Sequence, residues 1–395
     1  LLTNNEQNVQ EKCRLESTVQ TPQTSPLFGK QQSTHIKGVA IIMLILHHLF
    51  FLPSSNPWFT SILGNRWGGI EFFISSVSKL CIPLFFFVSG YGIWQASRSD
   101  QHLWKSTFRR LRTIYTIYIV NVAVTVLLYF FVNGSWVLLS KKEAVKTFLG
   151  IDVAINGTWW FFIIYVELLL LTPLAVLFVR RFPWLFLLFL STFVYLLSPE
   201  SGFTVLANLI EKLNLSTIMY EHFPLNNLWL NQFYFFTGFC LATSGLFETA
   251  LQGSIKKLFQ PFLRRSIALT LISAIFFFRY YLIDISSVLG IFSKEGLDIF
   301  ERTLIYSRAD FILSPLLIYA IVLLFHRQRL RMLSFLGNQS APIWLIHGTI
   351  IALILQPMKS IRPWSPFVFL LVLSLCVLYA LAYSSAARWL RKQLR

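Results

Sequence analysis

Apolar stretches of membrane-spanning length recur from about residue 36 to the end of the chain, and they limit the possible folds more than any other feature. Ten can be placed, near 36–53, 80–97, 113–133, 159–179, 184–198, 228–247, 266–283, 304–325, 340–356 and 365–387. Hydrocarbon offers no water to a peptide group, so each stretch must satisfy its own amides as a helix. The chain has 395 residues, 55% of them hydrophobic and 13% charged, which excludes both a soluble globule and a disordered polymer. The expected fold is an all-α polytopic membrane protein with about ten transmembrane helices. Residues 1–34, rich in Gln, Asn, Ser, Thr and Glu, read as a disordered polar tail, and residues 35–395 as one membrane domain.

A formal charge of +17 raises the question of nucleic acid, and the positions of the cations answer it. Ten crossings bring both termini to one side. On that side fall Lys30 and Lys37, Arg98 to Arg112, Arg180 and Arg181, Lys256 to Arg265, Arg327 to Arg331, and the basic C-terminus from Arg388. Such a bias places N- and C-termini in the cytoplasm of a multi-pass protein of the cell (plasma) membrane. Cations in short juxtamembrane segments orient helices and meet lipid headgroups, so no nucleic-acid partner is expected. The run RSDQHLWKSTFRRLR, residues 98–112, is dense enough to hold a polyanion as well.

The segment WGGIEFFISSVSKL, residues 67–80, reads as an interfacial or re-entrant piece ahead of the second helix. Loops 134–158, 199–227 and 284–303 lie on the outer side, where an extracytoplasmic acceptor could be met. Cys81, Cys240 and Cys376 belong to apolar runs and Cys13 to the tail, with no spacing that suggests a disulfide framework or a metal.

Within the first apolar run, KGVAIIMLILHH, Lys37 and His48 share one helix face, because eleven residues return to within roughly 20°. A rise of 1.5 Å per residue separates them by about 16 Å, placing Lys37 at the membrane edge and His48 near its middle. Ionisable groups at depth are costly in lipid, so the pair points to a protein-lined or water-filled site. His47 points about 100° away and reads as a packing or supporting residue. In the second helix, PLFFFVSGYGIW, small Ser89, Gly90 and Gly92 permit close approach by a neighbouring helix or by a slender ligand arm. Glu167, about midway along the fourth helix, must be protonated or paired. Trp159 and Trp160 open that helix at the outer interface, as anchors or as a platform for a sugar ring. Two opposite-charge pairs are expected near the outer face, Arg308 with Asp310 and Arg279 with Asp284, either neutralising each other or lining a polar path for a glycan.

Four segments in order carry a resemblance: Lys37 and His48 with ten residues between them, PLFFFVSGYG, WWFFIIYVELLLLTP at 159–173 and GNQSAPIWLIHG at 337–348. Together they resemble membrane acyltransferase family 3 from about Lys37 to the C-terminus. The resemblance implies O-acyl transfer, usually of acetyl from acetyl-CoA, to a sugar hydroxyl of a surface glycan or its lipid-linked precursor. Lys37 stands where the family more often has Arg, which keeps the charge and loses the planar fork. A sugar hydroxyl is a weak nucleophile, so a neutral imidazole must take its proton, and His48 is the candidate base. An acyl-histidine at His48 is the alternative. His347 matches a position where the family often has His, and Glu167 could orient His48 or bond the acceptor. For the donor, Lys37 is the expected partner of a CoA phosphate, Ser89 borders the arm, and Arg109, Arg110 and Arg112 face its phosphates. For the acceptor, Trp160, Arg308 and Asp310 are the expected contacts. No metal is implied. A second reading, a proton-coupled transporter or flippase using His48, Glu167 and His347 as a relay, draws on the same buried groups.

Overall fold

The computed structural model describes residues 26–51, 58–62, 69–134, 140–151, 153–197, 223–258, 260–288 and 309–393. They form α1 (Lys30–Phe50), α2 (Ile70–Ser78), α3 (Cys81–Ser97), α4 (Leu103–Asn133), α5 (Lys141–Leu149), α6 (Trp160–Arg181) and α7 (Trp184–Leu197). The second half contributes α8 (Phe223–Ser244), α9 (Leu246–Lys257), α10 (Pro261–Val288), α11 (Asp310–Leu324), α12 (Arg331–Asn338), α13 (Ser340–Ile361) and α14 (Ser365–Gln393). A 3₁₀ turn, Gly157–Trp159, leads into α6, and no strand occurs among the described residues.

A helix stands at each of the ten expected stretches, yet among the described residues six apolar segments are long enough to cross a bilayer alone. They are Lys30–Phe50, Ile70–Ser97, Leu103–Asn133, Gly157–Arg181, Pro261–Tyr281 and Ser365–Gln393, with a seventh if α12 and α13, bent by 79°, count as one. Trp184–Leu196 and Asp310–Leu324 are shorter: at 1.5 Å per residue each reaches about 20 Å, against a hydrocarbon core of about 30 Å. The piece expected to re-enter before the second helix does not stand apart. Helix α2 runs on into α3 across Lys79 and Leu80 as one 28-residue apolar segment. Helix α1 also starts at Lys30, inside the stretch read as tail, because the backbone amides of Leu27 and Phe28 donate to the Glu248 carboxylate of α9. Residues 1–25, and with them Cys13, lie outside the described residues.

Small residues set the closest helix contacts, as expected where lipid supplies no drive to bury apolar surface. A Cβ on Gly90 of α3 would overlap the Phe235 carbonyl of α8, and one on Gly238 of α8 would overlap the Phe87 carbonyl of α3. The same reciprocity joins α1 to α12, where Gly38 meets Leu333 and Gly337 meets Thr34. Polar locks complete the bundle. Gln232 of α8 exchanges hydrogen bonds with the Ser191 hydroxyl (2.7 Å) and carbonyl (2.8 Å) of α7. Arg180, at the end of α6, donates to the carbonyls of Ser97, Arg98 and Asp100, covering the C-terminus of α3 with a cation.

One member of each expected ion pair meets the other across two helices. Arg279 of α10, with none of its surface exposed, holds Asp310 of α11 in a bidentate pair, Nε to Oδ1 at 2.7 Å and Nη2 to Oδ2 at 3.0 Å. Its Nη1 donates to the Ser76 carbonyl of α2. A fork can face two oxygens only if both helices present their charges at one depth, which linear order could not reveal. Arg308 and the Asp284 side chain lie outside the described residues.

Candidate active site

Helix α1 ends its apolar run on His47 and His48, whose side chains diverge as the helical turn requires. His47 is buried, with Nδ1 3.0 Å from the Ser75 carbonyl of α2. His48 turns instead toward α13, where its ring centroid lies 4.9 Å from that of His347. His347 is buried, and its Nδ1 is 2.7 Å from the Trp344 carbonyl. A carbonyl can only accept, so Nδ1 carries the proton and Nε2 keeps its lone pair. That Nε2 is buried with no hydrogen-bond partner.

The two imidazoles border a cavity of about 20 Å³ between α1, α3, α6 and α13, enough for roughly one water. Its other walls are mainly aromatic, from Phe85, Trp160, Phe161 and Trp344, with the Thr158 hydroxyl as a further polar group. Trp160 is thus brought to the histidines. Trp159 is not an interfacial anchor: it is buried and donates Nε1–H to the Leu345 carbonyl at 2.8 Å, fixing the start of α6 against α13. Depth along α1 also differs from expectation. The helix begins at Lys30 and ends at Phe50, so His48 occupies its last turn and Lys37 its interior. The roughly 16 Å between them follows from helix geometry and stands.

Lys37 is half-buried and makes no ion pair among the described residues. The three arginines of α4 do not act as one cluster. Arg109 and Arg112 are exposed, whereas Arg110 turns inward and reaches the Ser97 hydroxyl at 3.4 Å. Consecutive helix positions diverge by 100°, so a dense run of cations need not share a face. Ser89 of α3 faces Tyr165 of α6, which lies within range of the Arg110 charge. Phe85 precedes Ser89 by one turn and Phe161 precedes Tyr165 by one turn, with the latter two rings stacked at 6.4 Å. Ser89 and Tyr165 are therefore about one helical turn from the histidine cavity.

Glu167 is not brought to the histidines: it does not border the cavity, and its Oε2 is buried without a hydrogen-bond partner. Asp310 is equally apart, 2% exposed and committed to Arg279. Sequence reasoning missed a polar support behind the site. Asn156 donates to the Thr349 hydroxyl at 3.0 Å and accepts from the Thr158 amide at 3.0 Å and hydroxyl at 2.7 Å. Thr349 in turn pairs with Thr125 of α4 at 2.9 Å. Lone threonines in apolar helices beside a histidine were the available signal. Gly348 gives this group its room, since a Cβ there would overlap Thr158 Oγ1 and Asn156 Oδ1. Gly348→Ala is expected to cost about 1–3 kcal/mol of stability and to displace Thr158 from the cavity wall. A thermal unfolding midpoint equal to wild type would refute that packing.

Apolar helices around two paired imidazoles, one with its buried Nε2 unpartnered, and aromatic walls define a helical, multi-pass membrane protein with an internal site suited to proton transfer. The acyltransferase domain of acyltransferase family 3 matches residues 32–383, nearly the whole chain, and the protein belongs to that family. It is a membrane acyltransferase. No curated protein and no solved structure matches it.

Proposed function

We propose that the protein moves a short acyl group, acetyl above all, from acyl-CoA to a hydroxyl of a cell-surface carbohydrate or its lipid-linked precursor. The observation that carries this reading is the His48–His347 pair at one cavity, with His347 Nε2 buried and unpartnered. In the proposed step an imidazole Nε2 takes the acceptor's proton. The hydroxyl oxygen attacks the thioester carbonyl, and the tetrahedral intermediate collapses by expelling the CoA thiolate. The imidazolium then returns the proton to sulfur. Two adjacent rings let one act as base while the other steadies charge on the intermediate or relays the proton. The small, aromatic-walled cavity favours a two-carbon acyl group over a long chain. Trp160, half-buried at the cavity wall, offers a flat apolar face for a sugar ring.

On the donor side, Lys37, Ser89 and Arg110 are the proposed contacts for the phosphates and arm of CoA, with exposed Arg109 and Arg112 drawing the polyanion to the surface. Glu167 and Asp310, which do not border the cavity, are assigned no part in the chemical step. Ten crossings of the plasma membrane with both termini in the cytoplasm suit a donor arriving from inside. In cells deleted for this protein, mass spectrometry of surface glycans is expected to show the loss of an ester-linked acetyl group. Unchanged acetylation would refute the carbohydrate acceptor, and solute or lipid-sugar flux without acyl transfer would favour a transporter.

A further inference from the structure

A second cavity, of about 490 Å³, lies where the end of α9, the start of α10 and the turn after α11 meet. It shares no residue with the histidine cavity. Arg264, Arg265, Arg327 and His326 line it, together with Gln328 and apolar residues, and among the described residues no acidic side chain does.

Several features of this wall call for an anion. Arg264 is only 8% exposed, and its Nε has no hydrogen-bond partner. An N–H of a guanidinium withdrawn from water without an acceptor is costly, at about 1–3 kcal/mol for the unmade bond. His326 is buried beside it, and its imidazole is held below its usual range by burial and by the charges of Arg264 and Arg327. Arg327 adopts φ 60°, a left-handed conformation that non-glycine residues seldom take. The turn that holds it there is pinned on both sides: the Gln328 amide donates to the Phe325 carbonyl, and the Gln328 carbonyl accepts from Gln31 Nε2 of α1, each at 3.0 Å. Finally, Arg264 and Arg265 lie in the first turn of a 28-residue helix that carries no acid there. Their charges add to the positive end of its dipole.

Clustered arginines at a helix N-terminus match the geometry of phosphate oxygens, which accept paired N–H donors. We propose that this cavity is a binding site for a phosphate-bearing anion, either the headgroup of an anionic membrane lipid or a soluble organic phosphate, separate from the acyl-transfer site. Failure of this proposal would leave the histidine site untouched.

The test uses the full chain. Purified protein is titrated with inorganic pyrophosphate and followed by its unfolding temperature. In parallel, protein in nanodiscs of phosphatidylglycerol and phosphatidylcholine is examined for retained lipid by native mass spectrometry. Saturable pyrophosphate binding or selective retention of phosphatidylglycerol is expected. It should weaken at least about tenfold in Arg264→Gln and in the surface variant Arg265→Gln/Arg327→Asn, each of which removes charge-assisted hydrogen bonds. Asn tolerates the left-handed backbone, so the second variant decides if the first does not fold. The arm that responds identifies the source of the phosphate. Binding of neither probe, or equal binding by wild type and the surface variant, would overturn the proposal.

Discussion

His48→Ala is expected to lower the rate of acyl transfer by about 10²–10⁴-fold, the usual contribution of a positioned proton acceptor. Stability should change by less than about 1 kcal/mol, because the His48 ring makes no hydrogen bond among the described residues and is not fully buried. His347→Ala should cost a similar factor, and the double variant little more than either alone, as for residues that work as one unit. His47→Ala gives the contrast. Its ring is bonded to the Ser75 carbonyl and does not border the cavity, so it should lose stability and keep most of its rate. Lys37→Ala is expected to raise KM for acyl-CoA more than it lowers kcat, the pattern of a group that binds donor equally in ground and transition states. Initial rates of CoA release by protein in liposomes, beside unfolding midpoints in detergent, separate these outcomes. Full activity in His48→Ala would remove His48 from the mechanism even though the family assignment holds.

Asp310→Ala is expected to destabilise the bundle by about 3–5 kcal/mol, the largest structural effect foreseen. The substitution takes away the carboxylate that accepts from both Nε and Nη2 of the fully buried Arg279 guanidinium, which also donates to the Ser76 carbonyl. Since that carbonyl belongs to α2, which continues into α3, the pair ties α10 and α11 to the helices that flank the histidines. Removing both charges should be far milder: Arg279→Met/Asp310→Leu is expected to recover most of the lost stability, because breaking a buried pair costs more than replacing it. Unfolding midpoints measured in one detergent decide. An Asp310→Ala variant as stable as wild type would show that water reaches Arg279 and that the pair is not a clamp.

Much of the helical organisation was legible because hydrophobic run length is a local property of sequence. What a run length could not supply was its context. Helix α7 and helix α11 are apolar but short, and α2 was read as separate because two glycines and a glutamate interrupt its apolar pattern. The structure absorbs that glutamate: Glu71 accepts from Ser365 at 2.6 Å, Ser61 at 2.7 Å and the Ile62 amide at 2.8 Å. The Lys37–His48 spacing was visible because helical periodicity places both on one face. The nearness of His347 to His48 depends on how α13 crosses α1, a tertiary fact that a family motif could suggest and periodicity could not. Arg279 also holds Asp310, the first residue of the next described helix, a pairing across 31 positions that nearness in sequence does not suggest. The arginine trio of α4 shows the converse, since density along the chain said nothing of which guanidinium turns inward.

The claim that acyl transfer takes place at the paired imidazoles is tested most directly by thiol release from acetyl-CoA. Wild-type protein and His48→Ala/His347→Ala, both in liposomes, are compared at equal protein content and confirmed fold. Release by the wild type should saturate with acetyl-CoA, and release by the double variant should fall to the rate of empty liposomes while donor binding persists. Equal release by the two proteins would contradict catalysis at His48 and His347.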